Sequence, residues 1–157
     1  MLEKNSNGAV HQTVSQTEGA IGFVGLGYLD DEVKAVKIGG VEANVDNVLS
    51  GDYPVARNLN MYTDGEPTGT ALEFLNYIDS DEGQAIVEDE GFVPKESSGP
   101  YTKVDSLTQS ITIVGSTTVL PIAQLAAEDF NDLYGTDLVA VSGGGSSTGV
   151  QLSLIHI

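Results

Sequence analysis

Two short segments of the sequence are built from residue types that hold an anion: Gly115-Ser116-Thr117-Thr118 and Gly143-Gly144-Gly145-Ser146-Ser147-Thr148. Serine and threonine add hydroxyl donors without bulk, and glycine lets the backbone approach a ligand closely. Each segment follows an apolar strand pattern and opens a helical one. Each therefore offers the unpaired N–H groups and about half a positive charge of a helix N-terminus. The chemistry this suits is recognition of an inorganic oxyanion, phosphate first, with no bond made or broken. Taken singly, either loop is an ordinary N-cap or glycine turn. Two such loops at adjacent strand ends, each with several hydroxyls, point to a ligand.

Other phosphate-binding patterns do not fit. A P-loop ends in Gly-Lys-Ser/Thr, and neither segment contains lysine; a dinucleotide fingerprint counted from Gly143 needs glycine where Thr148 stands. Other side chains form no better constellation. His11 and His156 are the only histidines, without an acid–nucleophile set, and read as surface or core residues. Asp30-Asp31-Glu32 and Glu88-Asp89-Glu90 lack the spacing of a calcium loop and read as solvated acidic faces. Arg57, the sole arginine, lies in an extended segment and could face an anion or an acid.

The elements that must position the loops are legible. Ser110–Val114 reads as a strand, followed by a helix of about Thr118–Tyr134 with Ile122, Ala126, Phe130 and Leu133 on one face. Pro121 falls within its first turn, where a missing N–H costs nothing. A second strand, Leu138–Val141, leads to the glycine run and a new helix from about Ser146. This is a βαβ unit, so the strands are expected to be parallel, with both loops at the carboxyl edge where open α/β sheets bind ligands.

Upstream, residues 1–18 read as a weak helix or loop, Ala20–Leu29 as a buried strand broken by three glycines, and Val33–Ile38 as a strand ending at Gly39-Gly40. A short helix at Val45–Leu49 and an extended Tyr53–Tyr62 follow. Two helices come next: Gly69–Ile78, with Leu72, Leu75 and Ile78 as its stripe, and a second capped by Ser80 and stopped by Gly91. Phe92-Val93-Pro94 is extended, and Glu96–Gln109 reads as a linker.

Composition bounds the function. The 157 residues suffice for one domain or one lobe, and 40% hydrophobic content marks a globular chain. Twenty-three acidic against six basic residues give a net charge of −17, spread along the chain. That coating excludes nucleic acid as a partner, because phosphate backbones need Lys/Arg clusters. Two explanations remain, a solubilising surface suited to high salt, where screening leaves short-range N–H contacts to win over distant carboxylates, and an acidic face for a cationic partner, which no local cluster supports. Cysteine is absent, which removes disulfides, thiolate metal sites and a thiol nucleophile. No apolar run is long enough to span a bilayer, and the first residues lack a signal-peptide core, which by itself suggests a cytoplasmic protein.

Ile113-Val-Gly-Ser-Thr-Thr-Val-Leu-Pro-Ile-Ala and Ser142-Gly-Gly-Gly-Ser-Ser-Thr-Gly resemble the first strand and two ligand loops of the phosphate-binding protein of the phosphate ABC transporter, the PstS family. Gly19-Ala-Ile-Gly-Phe-Val-Gly-Leu-Gly-Tyr, Asn47-Val-Leu-Ser-Gly-Asp-Tyr-Pro-Val-Ala-Arg, Met61-Tyr-Thr-Asp-Gly-Glu-Pro-Thr-Gly and Asp81-Glu-Gly-Gln-Ala-Ile-Val…Gly-Phe-Val-Pro resemble its C-terminal half. The resemblance implies a periplasmic-binding-protein-like α/β fold, mostly one lobe with parallel βαβ units. It assigns 1–95 to the family's C-terminal half, 96–109 to a linker, and 110–157 to the N-terminal ligand-loop region, packed into the same lobe. That order is the reverse of the family's, as a circular permutant, a fragment across tandem units, or a mis-assembled or truncated reading frame would give. Residues 151–157 depart from the family and read as a truncation artefact.

By the same resemblance, Gly115, Ser116, Thr117, Thr118, Gly145, Ser146 and Ser147 bind phosphate without cofactor or metal. The membrane permease of the ABC transporter is the macromolecular partner. The location is extracytoplasmic, in the periplasm or at the cell surface, with a membrane anchor as one form of the full-length protein; Met1 then corresponds to mid-protein in the family. The second-lobe arginine, its Ser/Thr loop and the aspartate that accepts the phosphate proton have no matching position here. The alternatives are a non-binding orphan lobe or fragment, a binder of sulfate or molybdate, and an enzyme using Gly115–Thr118 as an oxyanion hole, which lacks a nucleophile–base pair.

Overall fold

A computed structural model describes residues 3–155 of the chain. His156 and the last residue of the apolar tail lie outside the described residues. In chain order the elements are α1 (Asn7–Ser15), a single 3-10 turn (Leu26–Tyr28), α2 (Val45–Leu49), α3 (Gly69–Ile78), α4 (Asp81–Asp89), β1 (Ile111–Gly115), α5 (Leu120–Tyr134), β2 (Val139–Gly143) and α6 (Ser146–Ile155). β1 and β2 pair in parallel, with Ile111 opposite Val139 and Gly115 opposite Gly143. This is an α/β lobe built around one βαβ unit, as the sequence leads one to expect.

The crossover helix holds the unit together. Along α5, Ile122, Ala123, Ala126, Ala127 and Phe130 recur at helical spacing and are all buried. The small alanines let α5 lie close to β2, and Phe130 fills the space beyond them. Asn131 then fastens the return strand: its Oδ1 accepts from Leu138 N (2.8 Å) and Val139 N (2.9 Å), and its Nδ2 donates to Val139 O (2.9 Å). Gly135, at φ +68, ends the helix in the left-handed conformation glycine adopts without cost.

α3 and α4 close the other side of α5. Ser80 caps α4 by accepting from Gly83 N (3.3 Å), Asp81 and Glu82 occupy its first turn, and Gly91 at φ +72 terminates it. The core where the three helices meet is aromatic. Phe74 and Tyr77 both stand edge-on to Phe130 at 5.5 Å, and Tyr101 stands edge-on to Tyr77 at 5.3 Å.

Tyr101 belongs to the stretch 96–109, which has no regular element but is firmly tied. Ser98 N donates to Asp79 O (2.8 Å), Tyr101 N to Glu82 Oε2 (2.9 Å), and the Tyr101 hydroxyl donates to Glu73 Oε2 (3.0 Å) and meets the Tyr134 hydroxyl (2.8 Å). The linker-like composition therefore conceals a segment held by hydrogen bonds and an aromatic anchor.

Several expectations are corrected. Ala20–Leu29 forms no strand; Ile21 and Phe23 are 83% and 91% exposed, and only Leu26–Tyr28 is regular. An apolar run is buried as a strand only beside a sheet, and the described sheet consists of β1 and β2. The glycines do mark close approach, since a Cβ at Gly25 would stand 2.7 Å from Thr118 Cγ2 and one at Gly27 would collide with the Glu90 carbonyl oxygen. Val33–Ile38 is likewise no strand. It contributes one antiparallel bridge, Ile38 to Val41, around the Gly39-Gly40 turn.

In α3 the buried face is Thr70, Phe74 and Tyr77 rather than Leu72, Leu75 and Ile78, because the aromatic rings fill the space against Phe130. Leu133 is 41% exposed, while its neighbour Tyr134 packs against Phe130, and α5 begins at Leu120 rather than Thr118.

Phe130→Ala is expected to cost about 3–5 kcal/mol in urea unfolding, and Leu133→Ala less than about 1 kcal/mol; equal losses would refute this assignment of the core. Burial, with Asp129 and Glu82 nearby, pushes the Tyr77 hydroxyl up to about 12. A raised pKa stabilises the fold below the unfolded value of about 10, and that stability is lost as pH rises toward the folded one. Unfolding free energy should decline above about pH 10, and less steeply in Tyr77→Phe.

Candidate functional site

Because β1 and β2 end level at Gly115 and Gly143, both loops leave the same edge of the sheet. They are joined directly, Gly145 N donating to Gly115 O at 2.9 Å. Gly145 stands at φ +90, a conformation open to glycine, so it serves as the bridge between the loops and its N–H is engaged there. The first loop is braced within itself: Ser116 Oγ accepts from Thr118 N (3.2 Å), and Ser116 O from Leu120 N (3.1 Å). Pro121 lies in the first turn of α5, as expected.

The second loop is more open. Ser146 and Ser147 are exposed at the start of α6, while Thr148 turns back to donate to Gly144 O at 2.8 Å. α6 lies against β1 through Gly149, where a Cβ would stand 3.0 Å from Val114 O and 3.2 Å from Gly115 Cα. That glycine permits the second helix to begin beside the first loop.

A third helix N-terminus joins them, from residues the sequence marks only as a weak helix. α1 is capped by Ser6, whose Oγ accepts from Ala9 N at 3.1 Å. Its first residue, Asn7, donates through Nδ2 to Thr117 Oγ1 (3.1 Å) and Thr118 Oγ1 (2.8 Å), and through its backbone N to Thr117 Oγ1 (3.3 Å). Asn7 Oδ1 accepts from Gly25 N (3.0 Å), and the Tyr28 hydroxyl donates to Thr117 O (2.7 Å). Burial and the nearby Glu90 carboxylate raise the Tyr28 pKa, which keeps it a donor. A Ser-Asn pair ahead of a polar helix is a legible N-cap, but its partner lies 110 residues away in sequence, beyond the reach of local patterns.

The expected site residues are thus brought to one place: Gly115, Ser116, Thr117 and Thr118 in one loop, and Gly145, Ser146 and Ser147 in the other. Ser146 and Ser147 are exposed, and the other five are half-buried. Two shallow grooves lie elsewhere, one over α5 and β2 by Gln124, Glu128 and Asn131, the other between Leu26–Leu29 and Asp89–Gly91.

The remaining candidates stand apart. His11 Nε2 meets Asp30 Oδ1 at 2.9 Å, with Glu32 alongside; hydrogen bonds from His11 and then from Glu32 N hold the exposed Asp30 carboxyl below its ordinary value. Arg57 is exposed and reaches only Asn58 O (3.4 Å). No described helix is long and apolar enough to cross a membrane.

A βαβ unit with paired Gly/Ser/Thr loops at one sheet edge is an arrangement in which open α/β sheets hold ligands, and comparison with known proteins narrows the class. No protein-family model matches the chain. The phosphate-binding protein PstS 2 of Streptococcus agalactiae is 34% identical over 152 residues, covering 96% of this chain and 51% of that protein. The phosphate-binding protein PstS of Bacillus subtilis is 41% identical over 95 residues, 59% of this chain and 32% of that one.

Among solved structures, a phosphate-binding protein of a phosphate ABC transporter from Streptococcus pneumoniae superposes with a TM-score of 0.74 at 29% identity, covering 98% of this chain and 60% of the other. The chain is thus similar to the PstS phosphate-binding proteins, and it spans about half the length of the curated relatives that it matches over most of its own. These relatives are named as binding proteins, not as enzymes.

Gly149→Ala is expected to lift α6 from β1 and cost about 1–3 kcal/mol, read by urea unfolding, because the atoms in its way are backbone. An unchanged midpoint would show that α6 does not rest on β1 as described.

Proposed function

We propose that the chain forms one wall of an oxyanion cleft and binds inorganic phosphate for uptake through an ABC transporter, without chemical change to the ligand. The observation that carries this reading is the level ending of β1 and β2 at Gly115 and Gly143, which sets two hydroxyl-rich helix starts side by side. In this reading Ser116, Thr117, Thr118, Ser146 and Ser147 supply donors, while Gly115 and Gly145 fix the distance between the loops. Three helix N-termini add favourable potential for an anion. The net charge of −17 opposes it at long range only, since at about 1 M salt the screening length is about 3 Å.

The names of the relatives support phosphate as the ligand. On the same basis we assign an extracytoplasmic location and the membrane permease of the transporter as partner. Residues 1–95 and 110–157 are then two portions of the family's sequence sharing one lobe, joined through 96–109. The span of about half the relatives' length favours a second reading, in which this stretch is a lobe that does not bind alone.

Calorimetric titration with phosphate in high salt tests the proposal. Saturable binding is expected, and Thr117→Val and Ser146→Ala should each weaken it about tenfold, the value of one hydrogen bond to a charged group. Heat that does not saturate, or affinity indifferent to both substitutions, would favour the non-binding lobe. Parallel titrations with sulfate and molybdate report whether the loops distinguish phosphate.

A further inference from the structure

We infer that Asn7 is a positioning residue of the anion site, one that sets the direction of the Thr117 and Thr118 hydroxyl protons. The inference rests on the reading of the loops as an oxyanion site and concerns a residue outside both of them. A hydroxyl has two acceptor lone pairs and one proton to donate. Thr117 Oγ1 receives both the backbone N–H and the Nδ2–H of Asn7, at 3.3 and 3.1 Å, which occupies its two lone pairs. Its remaining hydrogen-bonding capacity is its own proton. Thr118 Oγ1 receives the other Nδ2–H at 2.8 Å, so one of its lone pairs is also taken on the Asn7 side.

An asparagine amide group carries two donors and no acceptor on nitrogen, so neither threonine can turn its proton toward Asn7 Nδ2. The hydroxyl protons point away from α1. The orientation of the amide is fixed in turn, because Oδ1 is held by Gly25 N at 3.0 Å; a flipped amide would set two donors against each other.

This changes what the loop is. A free threonine hydroxyl accepts as readily as it donates and must rotate to meet an anion. Held by Asn7, Thr117 has only its proton left to offer and Thr118 has its proton turned away from Asn7, which suits a ligand that offers acceptors. The backbone near Gly25 thereby communicates with the loop: Gly25 holds the amide, and Tyr28, three residues on, holds the Thr117 carbonyl at 2.7 Å.

The test uses the 157-residue chain, inorganic phosphate and sulfate as probes, and the isosteric Asn7→Asp. The introduced carboxylate keeps an acceptor for Gly25 N but replaces the two donors with an acceptor. The threonine protons then turn toward it, and its charge opposes the anion. At pH 8 the variant should bind both anions about a hundredfold more weakly than wild type, while circular dichroism remains that of the wild type.

A bound anion nearby raises the carboxyl pKa, so protonation on acidification should restore binding relative to wild type. Sulfate, which does not titrate in this range, isolates that recovery. Should Asn7→Asp fail to fold, Asn7→Ala carries the test, with an expected loss of about tenfold from hydroxyls left free to rotate.

Wild-type chain that binds phosphate, with variants that bind equally well or with a loss independent of pH in Asn7→Asp, would overturn the role of Asn7 alone. Wild-type chain that binds neither anion would overturn the reading of the loops and this inference with it.

Discussion

The proposed site depends on the in-register parallel pairing of β1 and β2. Parallel strands run the same way, so a crossover of any length returns the chain to the same edge, but only the register decides whether two loops arrive level or staggered. With Gly115 opposite Gly143 they arrive level, close enough for Gly145 N to bond Gly115 O directly. A register slip of one residue would move one loop by about 3.3 Å along the strand and reverse the faces of its side chains. The Asn131 clamp on Leu138 and Val139 fastens the start of β2 to α5 from outside the sheet. A two-stranded sheet is marginal by itself. Here its order comes from α5, whose alanines admit β2 and whose Phe130 ties it to α3 and α4.

The two halves of the described chain meet around this unit in different ways. On one side the contact is apolar and edge-on aromatic, Phe74 and Tyr77 against Phe130. On the other it is polar and specific, with α1 and the turn before Tyr28 bonded to the threonine loop by Asn7 and Tyr28. Apolar packing supplies most of the stability and is tolerant of small shifts. The polar contact is directional, and it lies at the loop proposed to hold an anion.

The elements around the loops were legible because their signals are local. Ser80 and Gly91 bracket α4, the alanine and aromatic spacing marks α5, and glycine closes both strands. The same locality explains the failures. Ala20–Leu29 has the composition of a buried strand, yet burial is decided by neighbours the segment does not name. Leu72, Leu75 and Ile78 are apolar and well spaced, but aromatic rings one position away compete for the same core. In the site, the two loops could be read from residue types and the family resemblance, whereas Asn7 could not. A capping asparagine looks alike whether it bonds water or a loop 110 residues away.

Ile21 and Phe23 stand in solvent on a stretch that belongs to no sheet. Apolar side chains on unpaired extended backbone are the usual seed of intermolecular pairing. On this chain the acidic coat, at −17, keeps copies apart by mutual repulsion. Added salt screens that repulsion just as it screens the repulsion between the coat and an incoming anion. Under the proposed function, ligand access and colloidal stability therefore respond in opposite directions to one variable, salt favouring the first and weakening the second.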